Sequence, residues 1–262
     1  MKQEYIRKAS DCLWELWKEQ GSINSLPRPL KPTNKAQGYA IQACIENRSS
    51  SPIAGWKIAA TSSVGQSHIG VSGPIAGRLL EERIHINASK LSIGRSLMKV
   101  AEAEFCFRMA TDLPPKQHPY TAQEVLDAVS HLHPAIEIPD SRFKKFSDAG
   151  EAQLIADNAC AHEFILGAPS ADSWRAIDLK KHPVQLKTSE PRVERGSGAN
   201  VLGSPITALA WLVNELCQFG MYVRKNQIVT TGTTTLPIPI DRGMDVFADF
   251  GVLGSTSVSF AK

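Results

Sequence analysis

Apolar residues recur at three-to-four spacing near the start of the chain and in a few later windows. Ile6, Ala9, Leu13, Leu16 and Trp17 share one helical face, and Gly21 is placed to end that helix. A loop punctuated by Pro27, Pro29 and Pro32 follows. Thr33 or Asn34 can then cap a second helix carrying Ala40, Ile41, Cys44 and Ile45. From Pro52 onward the pattern changes to short β-rich runs broken by Gly, Pro and Ser. The clearest are 54–60, 99–110, 135–138, 162–166, 183–187, 227–231, 245–250 and 255–260.

Two helices interrupt these runs. Thr121-Ala122-Gln123-Glu124 is a capping box that opens one. Ser204-Pro205 opens the other, which carries Trp211, Leu212, Leu216 and Phe219 before Gly220 closes it. Strands and helices do not alternate regularly, so the pattern predicts an α+β fold rather than a doubly wound sheet. The expected organisation is an N-terminal helical segment, residues 1–50, packed on a catalytic β-rich domain, residues 51–262.

Composition removes several function classes. The 42% hydrophobic and 21% charged residues are those of an ordinary globular protein. A net charge of +3, with Lys and Arg dispersed, argues against nucleic acid as a partner. No uncharged apolar stretch is long enough to cross a bilayer, and the polar start lacks the apolar core of a signal peptide. Cys12, Cys44, Cys106, Cys160 and Cys217 are scattered and odd in number, so reduced thiols in a cytoplasmic protein are expected.

Candidate chemistry centres on carboxylates. Glu102 and Glu104 lie two apart in a predicted strand, on one face and roughly 6.6 Å apart along it. At an effective dielectric of about 20, two unit charges at that spacing repel by roughly 2.5 kcal/mol. Glu137 stands in a second apolar run, Pro134-Ala135-Ile136-Glu137-Ile138-Pro139, where an acid is out of place unless paired or metal-bound. An isolated E-x-E is ordinarily the wet face of an edge strand, and Glu137 weakens that reading. Spacing alone leaves both open; if a metal is held, oxygen-only ligation suits Mg²⁺ or Mn²⁺ better than zinc.

Lys57, in Gly55-Trp56-Lys57-Ile58-Ala59, is flanked by apolar residues. It is either an acid–base residue or a lysine snorkelling from an edge strand. The small polar stretch 61–70, which includes His68, has the composition of a mobile loop able to close over a site. Segments 195–200 and 230–235 lack the spacing of phosphate loops, yet their amides and hydroxyls suit a small carboxylate. His131-Leu132-His133 has no third zinc ligand at useful spacing and is expected to mark a helix C-terminus. No G-x-S-x-G elbow is present, which disfavours covalent catalysis.

Taken together, several segments resemble the fumarylacetoacetate hydrolase superfamily. They are Gly55-Trp56-Lys57-Ile58, Glu102-Ala103-Glu104-Phe105, Leu132-His133-Pro134-Ala135-Ile136-Glu137, Ala156-Asp157-Asn158-Ala159, Gly196-Ser197-Gly198 and Thr231-Gly232. Within it the chain looks like the branch of 2-keto-4-pentenoate hydratases and 4-oxalocrotonate decarboxylases. The resemblance implies Glu102, Glu104 and Glu137 as ligands of Mg²⁺ or Mn²⁺ and Lys57 as an acid–base residue. It places Ser197 and the Thr231-Gly232 turn near a small 2-oxo or 2-hydroxydienoic acid. It also implies a β-roll or sandwich core and a homo-oligomer. Glu82 stands where the hydratase pattern has an aspartate, so an acid is kept with a longer reach, as a second candidate for proton transfer. Hydrolase members use a His/Glu pair in the lid to activate water; His68 is the only lid histidine, without an evident glutamate partner. The ranking that follows is hydratase, then decarboxylase, then hydrolase. A non-catalytic binder of small acids is the reading outside enzymes.

Overall fold

The computed structural model describes all 262 residues. Helix α1 (Gln3–Glu19) presents Ile6, Ala9, Leu13 and Trp17 inward, as their spacing predicts. Its left-handed terminal residue is Gln20 at φ 51°, while the Gly21 N–H donates to the Leu16 carbonyl, so the stop falls one residue before the expected glycine. Asn34 caps α2 (Lys35–Ala43) by accepting from the Gln37 N–H.

Thirteen strands and five further helices follow. They are β1 (Ile53–Ala59), α3 (Ser63–Ile69), β2 (Ile75–Leu80), β3 (Ile84–Ile86), β4 (Ser89–Leu91), β5 (Val100–Met109), α4 (Ala122–Asp127), β6 (Val129–Ile138), α5 (Phe146–Ala149), α6 (Glu151–Ala156), β7 (Glu163–Leu166), β8 (Pro183–Thr188), β9 (Val193–Ser197), α7 (Pro205–Gln218), β10 (Ile228–Thr233), β11 (Ile238–Pro239), β12 (Asp245–Asp249) and β13 (Ser255–Phe260). The larger sheet runs β2-β1-β10-β5-β6-β7-β3, with β11 also pairing β5; the smaller runs β4-β13-β12-β8-β9. Parallel and antiparallel pairs mix within both sheets, and the fold is α+β. One core cluster joins α1 and α2 to the central strands through residues such as Leu13, Ile41, Phe105 and Ile136. No helix is long and apolar enough to cross a membrane.

Two expectations are corrected. His131-Leu132-His133 lies in β6, not at a helix end. The Thr121 capping box does form, but α4 stops at Asp127, and the chain from Val129 to Glu137 pairs antiparallel with β5, with one register shift between Arg108 and Met109. Segment 61–70 is mostly helix α3, with Ser62 accepting from the Gly65 N–H and Gly70 ending it at φ 68°.

A buried polar node ties α1 to β7. The Trp17 indole N–H donates to His162 Nδ1 at 2.8 Å, so that nitrogen must be unprotonated. Burial holds the His162 imidazole at about 4, against an ordinary 6.5, with the Glu163 charge partly opposing. A base depressed in the folded state contributes stability that is complete above pH 6.5 and lost as pH falls toward 4. The His162 ring-proton NMR shift should therefore stay at its neutral value to below pH 5, where an exposed imidazole is fully charged.

Candidate active site

Four adjacent strands, β1-β10-β5-β6, place the predicted residues on one face. Glu102 on β5 lies directly opposite Glu137 on β6, and Glu104 follows two residues along, opposite Ala135. Trp56 pairs with Val229 in the parallel β1–β10 ladder, which puts Lys57 alongside Thr230. A register shift in β10 between Thr230 and Thr233 turns the Gly232 N–H toward Glu104.

Ligand oxygens of Glu102, Glu104 and Glu137 all lie within 4.8 Å of one another. Like charges opposed across strands are destabilising. At an effective dielectric of about 20, each fully charged pair at 4.8 Å repels by about 3.5 kcal/mol. Glu104 and Glu137 are buried, and Glu102 is partly exposed. Burial, reinforced by the Glu137 charge, pushes the Glu102 carboxyl up to about 7. Burial and then the charges of Glu137 and Glu102 hold Glu104 well above the usual carboxylate range.

Protein donors satisfy only part of this cluster. Glu104 Oε2 accepts from the Gly232 N–H at 2.9 Å and from the Thr230 hydroxyl. Glu104 Oε1 and both Glu137 oxygens are buried without a hydrogen-bond partner. Lys57 Nζ lies 3.0 Å from Glu137 Oε1, close enough for an ion pair but without hydrogen-bond alignment. Orphaned oxygens of Glu104 and Glu137, with the Glu102 carboxyl beside them, fit a hard divalent cation.

Lys57 is 2% exposed and donates to the Ala159 carbonyl at 3.0 Å. Burial pulls its pKa down, but the charges of Glu137, Glu104 and Glu102 outweigh this and hold it above the ordinary lysine value. The Ala159 carbonyl is aimed by unusual backbone: Asn158, Ala159 and Cys160 all adopt positive φ, at 55°, 51° and 61°. Such residues cost roughly 1–2 kcal/mol each. Asn158 offsets this by imitating a strand partner, accepting from Arg78 N at 2.6 Å and donating to Arg78 O at 2.8 Å. Asp157 anchors the other side through Ser141 Oγ at 2.7 Å and Arg142 N at 2.9 Å.

Lys57, Glu102 and Gly232 open onto a cavity of about 860 Å³. Its walls are largely apolar, with Ile58, Met98, Val100, Phe146, Leu202 and Leu236 among them. His68 on α3 lines it and sits edge-on to Phe146, with ring centroids 5.8 Å apart. Ser197 and Thr231 do not line it; Thr231 is buried, and its hydroxyl donates to the Phe105 carbonyl. Gly232 does line it, but its N–H is committed to Glu104 and is not free for a substrate. Glu82 is exposed, accepts from Ser49 Oγ, and does not line the cavity. Arg195 and Asn200, which line the cavity, and Thr230, which donates to Glu104, fall in the segments 195–200 and 230–235 that the sequence offered to a small carboxylate, though neither segment singled them out.

Gly232 has φ +96°, and a Cβ there would stand 2.3 Å from Thr61 Oγ1. Gly232→Ala is expected to destabilise by about 2–4 kcal/mol through strain and collision. For a chain of this size that is a Tm drop of roughly 5–15 °C, read by thermal unfolding.

The fold recurs in a fumarylpyruvate hydrolase from Pseudomonas aeruginosa (TM-score 0.60, 10% identity, 79% of this chain and 88% of that one). No family profile matches the chain. A 2-keto-4-pentenoate hydratase from Paraburkholderia xenovorans is 30% identical over 254 residues, covering 94% of this chain and 91% of the relative. The 4-oxalocrotonate decarboxylase from Pseudomonas putida G7, complexed with magnesium and adipate, superimposes with a TM-score of 0.90 at 25% identity, covering 99% and 98% of the two chains. The chain belongs to the family of 2-keto-4-pentenoate hydratases and 4-oxalocrotonate decarboxylases.

Proposed function

We propose that the protein is a metal-dependent hydro-lyase that adds water to 2-hydroxypenta-2,4-dienoate, or a close relative of it, giving 4-hydroxy-2-oxopentanoate. The observation that carries this reading is the set of orphaned Glu104 and Glu137 oxygens clustered with Glu102, which together with Lys57 lines the cavity. Glu102, Glu104 and Glu137 would hold the metal, taken as Mg²⁺ or Mn²⁺ for its oxygen-only donors. When bound, such an ion supplies Lewis-acid stabilisation of charge developing on the substrate's 2-oxygen.

The chain's own groups do the rest. Lys57 is held as an ammonium by its acidic neighbours, so it enters the reaction as a proton donor. Its proton goes to C5 of the dienoate as the 2-enol becomes a ketone. The enol hydroxyl proton returns to Lys57 Nζ, and water then adds its hydroxyl at C4 and its remaining proton at C3. The strained Ala159 carbonyl fixes the direction of Nζ during these transfers. Apolar walls limit the water that reaches the site. Glu82 is not part of this relay, and hydrolase chemistry lacks its water-activating pair because His68 faces Phe146 rather than an acid.

Decarboxylation of 4-oxalocrotonate is the second reading, favoured by the close superposition on the decarboxylase. The proposal treats residues 1–50 and 51–262 as one functional unit. It includes a homo-oligomer, in keeping with apolar Ile86 and Val252 at 78% and 80% exposure. Assaying the purified protein with Mg²⁺ on both substrates separates the readings. Loss of the dienoate absorbance without CO₂ supports hydration, and rapid CO₂ release from oxalocrotonate overturns it.

A further inference from the structure

Away from the carboxylates the same strand turns apolar. Glu104, Glu102 and Val100 alternate along one face of β5, and both Val100 and Met98, just ahead of the strand, line the cavity. Val64 on α3 and Leu236 also line it, yet they are 73% and 65% exposed. Large apolar side chains left uncovered on one cavity wall mark a ligand groove. Several polar side chains of the wall are turned to the protein's own backbone. Thr233 Oγ1 donates to the Thr235 carbonyl at 3.0 Å, Thr235 Oγ1 to the Leu236 carbonyl at 3.0 Å, and Asn200 Nδ2 to the Thr234 carbonyl at 2.7 Å. Arg195 is exposed and keeps its hydration. Size points the same way. The parent dienoate has about eight non-hydrogen atoms, and at about 30 Å³ each, a water molecule's share of the liquid, it fills roughly 240 Å³. Most of the cavity's 860 Å³ is left over.

We propose that this wall holds an apolar substituent on C5 of the dienoate, so that among monoacids the chain prefers those carrying an alkyl or aryl tail over the five-carbon parent. The inference rests on the proposed reading that the 2-oxo acid head binds at the glutamates and Lys57, and it specifies which relative of the dienoate fits. C5 is the carbon farthest from the head carboxylate, so its substituent is the part of the substrate that reaches the apolar wall. The chemistry of the head is unaltered, since C5 still takes the proton and becomes a methylene. Each carbon of the tail leaves water for a surface that is already apolar, and covering Val64 and Leu236 adds their burial. Met98, unbranched and with three rotatable bonds, can follow tails of different shape. A charged tail would give up its hydration against the same surface for little return.

The test uses saturated 2-oxo monoacids that share the head and differ only in length: 2-oxopentanoate, 2-oxohexanoate and 2-oxooctanoate. Each is titrated calorimetrically into the Mg²⁺-loaded protein and into Leu236→Asp and Val64→Asp, substitutions at exposed positions where the fold accepts a charge. In the wild type the affinity should rise about three- to fourfold per methylene, so at least about twentyfold from the five-carbon to the eight-carbon acid. The heat-capacity change of binding should grow more negative along the series. Either aspartate should cut the eight-to-five-carbon affinity ratio at least about fivefold. Affinities that are flat or fall with length overturn the proposal while the head-group reading stands. A rise with length that both variants leave intact overturns the assignment of this wall. If no acid of the series binds in the presence of metal, the head-group reading itself fails, and this inference with it.

Discussion

Glu104→Gln is expected to lower kcat/KM by at least about a thousandfold, equivalent to roughly 4 kcal/mol of lost transition-state stabilisation. The amide keeps the shape of the side chain and can still accept from the Gly232 N–H, so the fold should survive. It removes an anionic ligand oxygen that has no other partner in the protein. The same change relieves crowding of negative charge, so the metal-free variant should unfold at a higher temperature than the metal-free wild type above pH 7. Loss of metal affinity together with a gain in thermal stability is the signature of a site built for a cation. Kinetics and thermal unfolding, each with and without EDTA, read both effects. A variant that keeps its metal affinity and activity would remove Glu104 from the ligand set.

Lys57→Met should lower kcat by about 10²–10⁴-fold, the range associated with a positioned acid–base group. Metal affinity should not fall. Lys57 is a buried cation 3.0 Å from Glu137, and removing it takes away a charge that repels the ion. Steady-state kinetics with saturating metal, alongside a metal titration, separates the two roles. A fall in metal affinity matching the loss of rate would make Lys57 a structural support of the cluster, not an acid–base residue.

The carboxylate pattern was legible because strand periodicity is simple and an acid in an apolar run is conspicuous. Glu102 and Glu104 share a face by alternation alone, and Glu137 lies directly across from Glu102. Much of the support was not legible. Left-handed Asn158, Ala159 and Cys160 carry no local signal, since no glycine marks them and their strain is offset by contacts with Arg78, Ser141 and Arg142. The capping box at Thr121 correctly opened a helix, but its early stop depended on β6 pairing with β5, which a local reading does not weigh. Small polar residues suggested a loop over 61–70, yet Ser62 and Gly70 are a cap and a stop, and a short helix forms between them. Arg195 meets the cavity only through the packing of β9 on Thr234. Glu82, prominent through its resemblance to a hydratase aspartate, lies instead at the surface with Ser49.

Protonation links the cluster to its ion. In the metal-free protein, burial and the Glu137 charge hold the Glu102 carboxyl at about 7, so the site retains protons that a cation must displace. Metal binding should therefore tighten as pH rises through 7.

Titration of Mn²⁺ followed by electron paramagnetic resonance, on the wild type and on glutamine variants at positions 102, 104 and 137, tests the central claim most directly. The account predicts one tightly held Mn²⁺ per chain, proton release on binding near pH 7, and loss of that binding in every variant. Mn²⁺ affinity unchanged across all three variants, or no saturable binding by the wild type, would contradict it.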